Sequence, residues 1–189
     1  MLTAVVPEAE LVSTERGLVP KGEGWFVLSA REAQWWERPG RGALCEFEGA
    51  GFDGALDFVE LGVNLTRLGP DEPMAMYHWE ADQEDFLVLA GEALLVVEGQ
   101  ERPLRQWDFV HCPPGTNHTI VGAGDGPCIV LAVGARERTK GADWGAYTVD
   151  DAAVRNDTGV EHETTVPAEA YARFGRSRLT GYRKSWLPD

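Results

Sequence analysis

The sequence predicts an all-β chain, a barrel or sandwich with short helical extensions at its two ends. Glycine and proline punctuate it at intervals of roughly eight to twelve residues. Long 3.6-residue periodicity is missing, and short apolar runs stand between the punctuation marks. Candidate strands are Trp25–Ser29, Leu44–Phe47, Phe58–Leu68, Met74–Trp79, Asp85–Leu89, Ala93–Val97, Asp108–Cys112, Asn117–Val121 and Cys128–Val133. Gly91-Glu92 fits a two-residue hairpin turn, and Gly99-Gln100 suggests another. Two helices are expected, a short one over Arg31–Trp36 and a better supported one over Pro167–Phe174. In the second, a proline opens the helix, Ala170, Tyr171 and Phe174 share a face, and Gly175 stops it.

At 189 residues one domain is the expected count. It divides into a lead-in (1–55), a β core (56–136) and a C-terminal extension (137–189). The flanking parts are too poor in periodic apolar sequence to fold alone and should pack on the core. Cys45, Cys112 and Cys128 are odd in number and widely spaced, which argues against a disulfide framework and a Cys-x-x-Cys metal site. No apolar run is long enough to span a membrane, and the opening residues lack the pattern of a signal peptide. A cytoplasmic protein is therefore expected.

The net charge of −14 speaks against nucleic acid, because phosphate binding needs a basic face. The charge is uneven: Arg173, Arg176, Arg178, Arg183 and Lys184 crowd the tail of an otherwise acidic chain. Such a tail should dock on its own body or on a partner subunit. Seven tryptophans suggest aromatic lining of a pocket or an interface.

The chemistry-bearing residues cluster in two segments. In Met74-Ala-Met-Tyr-His-Trp-Glu80, strand alternation points Met76, His78 and Glu80 one way and Tyr77 and Trp79 the other. Glu84 follows a turn later. In Pro113-Pro-Gly-Thr-Asn-His118 a rigid turn delivers a histidine to the start of a strand. Imidazole and carboxylate from neighbouring strands suit a divalent ion.

These segments resemble the paired motifs of the cupins. The first motif runs Gly, five residues, His-x-His, three or four residues, Glu, six residues, Gly. This chain has His78, one residue, Glu80, three residues, Glu84, six residues, Gly91. The second motif runs Gly, five residues, Pro-x-Gly, two residues, His, three residues, Asn. Here stand Pro113, Gly115 and His118. Glu72 and Trp107 occupy the two leading Gly positions, Gly122 the Asn position and Glu80 that of the second His. The resemblance covers residues 58–135 and implies a cupin jelly-roll β-barrel with one divalent transition metal (Fe, Mn, Zn, Ni or Co, iron favoured) on His78, Glu80, Glu84 and His118. Two carboxylates in one apolar barrel repel each other, and a divalent ion balances them. The bland alternatives are hydrogen-bonded structural histidines, a solvated Glu84, and a Glu80 that only holds a histidine ring.

Strand parity adds Met76, Phe86 and Val88 as an apolar pocket wall for a small-molecule substrate. His111 and Cys112 read as packing, and Asp85 should face outward if Glu84 faces in. The expected function is a dioxygenase-type enzyme. The alternatives are a metal-dependent isomerase, lyase or hydrolase on a small oxygen-rich substrate, and a non-enzymatic ligand-binding cupin. Inward positions look apolar or acidic, which weighs against a sugar-phosphate substrate. Cupins are often dimers, exposed sheet edges invite pairing, and a homodimer is expected.

Overall fold

The computed structural model describes residues 5–48, 58–137 and 143–188. The boundary expected between residues 55 and 56 and the first four residues lie outside these. Strands β1 (Glu10–Thr14) and β2 (Gly17–Lys21) form a separate antiparallel hairpin. The next ten are β3 (Gln34–Glu37), β4 (Ala43–Glu46), β5 (Leu61–Leu68), β6 (His78–Glu80), β7 (Glu84–Ala90), β8 (Glu92–Val97), β9 (Gln100–Arg105), β10 (Phe109–Cys112), β11 (His118–Ala123) and β12 (Cys128–Ala135). After β13 (Gly145–Tyr147) come α1 (Asp151–Arg155), α2 (Pro167–Ala170) and β14 (Arg178–Gly181).

Two antiparallel sheets carry the fold. One has the order β10-β7-β12-β5-β4-β3-β14 and the other β13-β6-β11-β8-β9. Strand alternation places Leu68, Phe86, Val130 and Ala132 of the first sheet against Ala93, Leu95 and Ile120 of the second, all buried in one cluster. Mostly β, with antiparallel sheets and only small helices, this is the jelly-roll β-barrel that the sequence predicts.

Several expected elements change. Arg31–Trp36 is not a helix: its second half belongs to β3, where Trp35 packs 5.1 Å from Trp186 and Trp36 donates from Nε1 to Glu46. Long-range aromatic packing and a cross-strand hydrogen bond override the weak local helix preference. Trp25–Ser29 is irregular, and Trp25 makes only an isolated bridge to Glu8. The strand expected over Met74–Trp79 shortens to β6, because Met74 and Tyr77 turn their N–H groups to Ile120 and Thr158 instead of a common ladder. Helix α2 is confined to four residues, its chain continuing as turns.

Gly91 does not close a hairpin, since β7 and β8 lie in different sheets. It turns the corner between them at φ 75°, where an added Cβ would lie 2.5 Å from the Pro127 carbonyl oxygen. The second turn is a hairpin on Glu98-Gly99, one residue earlier than expected, with Val97 paired to Gln100 and both turn residues at positive φ.

The flanking segments complete the first sheet. Strand β14 pairs with β3, and Arg178 and Arg183 both donate to Glu37, at 2.6 and 2.7 Å from their Nη2 atoms. The basic tail thus docks on its own body. Trp186 and Tyr182 pack against Trp35, Ala43 and Cys45 in a second apolar cluster.

Candidate metal centre

Antiparallel pairing sets His78 of β6 directly opposite His118 of β11, with ring centroids 5.1 Å apart. Each ring is held through Nδ1, His78 at 2.8 Å from the Met76 carbonyl oxygen and His118 at 2.9 Å from that of Thr116. A carbonyl only accepts, so both Nδ1 atoms donate and both Nε2 atoms are free to present lone pairs.

Glu84 arrives from the other sheet at the start of β7. Its Oε2 is 3.2 Å from His118 Nε2 and 3.9 Å from His78 Nε2. One donor atom from each of the three residues lies within 4.8 Å of the other two. A metal with bonds of about 2.1 Å needs its donors roughly 3.0–3.4 Å apart. The first separation already fits, and the second needs to close by about half an ångström.

Glu84 Oε2 and His118 Nε2 are buried and lack a hydrogen-bond partner, since their mutual contact is not aligned as a hydrogen bond. Two lone-pair carriers facing each other call for a cation between them. Burial alone would depress the His118 imidazolium, but the Cys112 thiol and the Glu84 carboxylate outweigh it and push the group up to about 10. Burial would raise the Glu84 carboxyl, yet His118 and His78 hold it below its ordinary value. A proton or a metal ion meets this demand, and the donor set fits a divalent transition metal.

Glu80 stands beside this group. Its Oε1 lies 3.5 Å from His78 Nε2, but it does not join the mutually close donors. It lines the same cavity of about 210 Å³ with Phe86, whose ring is 5.3 Å from that of His118.

Met76 and Val88 lie outside that cavity. The bend before β6 breaks the alternation at Met76, which packs with Tyr147 and Ala170. Val88 shares the facing of Glu84 but sits four residues, about 13 Å, further along the strand, and it is fully buried. His111 is exposed and contacts Asp85 at 2.6 Å on the outer face. Cys112 is buried next to His118. Trp107, at the motif's Gly position, has a left-handed backbone with φ 75°, a conformation that favours glycine, and exposes its ring. Gly122, at the Asn position, leaves no room for a side chain: an added Cβ would lie 2.0 Å from the Gly69 carbonyl oxygen.

Among the lining residues that escape sequence reading are Arg38 and Arg41 from the β3–β4 turn, and Trp144, Tyr147 and Tyr171 from the C-terminal extension. The expectation of only apolar or acidic inward positions is therefore corrected. The Arg38-Pro-Gly-Arg-Gly42 turn was a visible signal for a loop bearing two cations, but no periodicity connects it to the barrel.

Residues 64–134 match the family model of the cupin domain. Similar solved structures include a putative sugar phosphate isomerase from Acidithiobacillus ferrooxidans, at 22% identity over 56% of this chain and 64% of that one, with a TM-score of 0.44. Another is a sugar phosphate isomerase of the cupin superfamily from Silicibacter pomeroyi, at 28% identity over 57% and 62%, TM-score 0.43. A third is the DMSP lyase DddQ from Ruegeria pomeroyi, at 26% identity over 51% and 48%, TM-score 0.43. The chain thus spans less than two thirds of each of these three. No curated protein matches it.

Proposed function

We propose that this protein is a metal-dependent enzyme of the dioxygenase type acting on a small molecule, with iron on His78, Glu84 and His118 and Glu80 at the rim of the set. The observation that carries the reading is the two-histidine, one-carboxylate donor group whose orphaned atoms face a partly aromatic cavity. That donor set with open positions is the kind used by non-haem iron oxygenases. Bound Fe(II) would supply the redox chemistry that O2 requires. The chain's own residues orient and shield. The Met76 and Thr116 carbonyls fix the imidazole tautomers, and Phe86, Ile120 and Trp144 exclude water from the lining. Burial raises the Tyr147 phenol above its ordinary value, so its hydroxyl stays protonated and can donate to a substrate oxygen.

A second reading, a metal-dependent lyase, isomerase or hydrolase, is favoured by Glu80. A carboxylate that touches one histidine but stands outside the donor group is placed to move a proton. Metal analysis of protein purified without chelator, followed by oxygen uptake across a small-acid panel, separates the two. About one iron per chain and substrate-dependent uptake support the oxygenase. Turnover of the same acids by a Zn(II) form without oxygen overturns it.

A homodimer is part of this proposal, and light scattering at micromolar concentration tests it, a monomer mass refuting it. No helix among the described residues is long and apolar enough to cross a membrane. Three free, buried cysteines support a cytoplasmic setting.

A further inference from the structure

Arg38 and Arg41 stand at the two ends of the tight turn between β3 and β4. The turn is fixed by the Arg38 N–H donating to the Gly42 carbonyl at 2.9 Å and the Arg41 N–H to that of Arg38 at 2.8 Å. Both side chains line the cavity that holds the metal donors. Arg38 is 8% exposed. Its Nη1 donates to the Met74 carbonyl at 3.3 Å, while its Nε and Nη2 are buried without partners. Arg41 Nη2 donates to the same carbonyl at 3.1 Å, its Nε has no partner, and its Cζ lies 3.9 Å from the centroid of the Tyr171 ring.

Among the described residues, no carboxylate forms an ion pair with either arginine. The nearby acids are committed elsewhere: Glu72 accepts from the Gly69 N–H and Arg67, and Glu46 from Trp36 Nε1. Burial, and then the charge of Arg41, press the Arg38 guanidinium down to about 9, so it remains a cation at neutral pH. A buried and a half-buried cation sharing one carbonyl are costly unless an anion joins them. Holding Met74 in place would need one donor, and the remaining N–H groups would serve nothing. The unpartnered Nε and Nη2 of Arg38 form the side of the guanidinium fork that meets two oxygens at once, and because both atoms are shut off from water, an anion engages them by a shift of the side chain toward the cavity it lines.

We propose that Arg38 and Arg41 form the receptor for the carboxylate of a small acid, held in the cavity beside the metal donors. A cavity of about 210 Å³ holds roughly seven waters' worth of volume, which sets the acid at a few carbons. Only the claim that this acid is the enzyme's substrate rests on the proposed function, since the anion site itself needs no metal.

The test uses the metal-stripped full chain with malonate, its neutral diamide and inorganic phosphate, read by thermal shift and calorimetry. Malonate should bind and raise Tm, and the diamide should do neither. Arg38→Met should melt higher than wild type without ligand, because an unpaired buried charge is gone, and should bind malonate at least about tenfold more weakly. Arg38→Lys, which keeps the charge and loses the fork, should also bind more weakly and carries the test if the methionine variant does not fold. Equal stabilisation by the diamide, or unchanged malonate affinity in both variants, overturns the proposal, and a response to phosphate alone overturns the carboxylate assignment. His118→Ala separates the two readings. Malonate binding kept in that variant supports an independent anion site, whatever the metal analysis shows, while its loss there overturns that independence.

Discussion

Replacing Glu84 and Glu80 separately by glutamine asks which carboxylate holds the metal. Glutamine keeps the shape, removes the charge and replaces one acceptor oxygen by a donating NH2. Glu84 Oε2 lies 3.2 and 3.9 Å from the two free ring nitrogens, so an ion seated between the rings touches it. Glu80 Oε1 is 3.5 Å from one of those nitrogens and outside the close group, so it reaches the ion only by rotating. Groups acting around a metal through its ligands contribute about 10–100-fold in affinity, which bounds Glu80→Gln. Glu84→Gln should exceed that range, a loss of more than about 100-fold or roughly 2.7 kcal/mol. Competition against a chromophoric chelator for Zn(II) and Co(II) measures both, with Tm recorded to confirm folding. Equal losses would place both carboxylates on the ion. A loss under tenfold for Glu84→Gln would refute the ligand assignment.

Glu80→His, which restores the usual cupin pattern, should fold and bind one metal. It should hold carboxylate anions more tightly, because a negative charge leaves the cavity, and bound iron should oxidise more slowly in air. Gly42→Ala should destabilise the fold by about 2 kcal/mol or more, since Gly42 has φ 69° and an added Cβ would lie 2.0 Å from the Arg67 carbonyl oxygen. Malonate affinity should fall with it as the Arg38–Arg41 turn shifts. The hydrogen bond from Arg178, reinforced by the charges of Arg178 and Arg183, holds the Glu37 carboxyl below its ordinary 4.5. A depressed carboxyl stabilises the folded state above its unfolded pKa, and that contribution disappears as pH falls through the lower folded value. The protection factors of residues 178–181 against hydrogen exchange should therefore fall below about pH 4.5, and a Glu37→Gln variant should show the lower protection already at neutral pH.

The strands of the core were readable because each carries its own alternation. Glu84 and Phe86 share a facing in β7, as do His118 and Ile120 in β11, and two spaced motifs fixed the order of the donors. Parity failed where its premise failed. Met76 precedes β6 on a bent backbone, and Val88 has the right facing at the wrong depth. The helix expected over Arg31–Trp36 failed for another reason. Trp35 and Trp36 pack against Trp186 and Glu46, partners that no short window of sequence contains.

The sequence by itself determined the class of fold and pointed to the three residues that the structure brings together as a group able to hold a metal, because period-two patterning and motif spacing are local properties of the chain. The tertiary structure alone decided that Glu80 stands outside the close donor group, since that depends on distances between β6, β7 and β11. It also decided that the cavity's far wall comes from Arg38, Arg41, Trp144, Tyr147 and Tyr171. Apart from Tyr171, on the face of an expected helix, these residues lie in flanking segments with no periodic signal of their own. They reach the cavity because β3, β4 and β14 extend the barrel sheet and β13 pairs with β6. Long-range strand pairing of this kind is set by the whole chain's burial of its apolar faces, and local sequence carries no record of it.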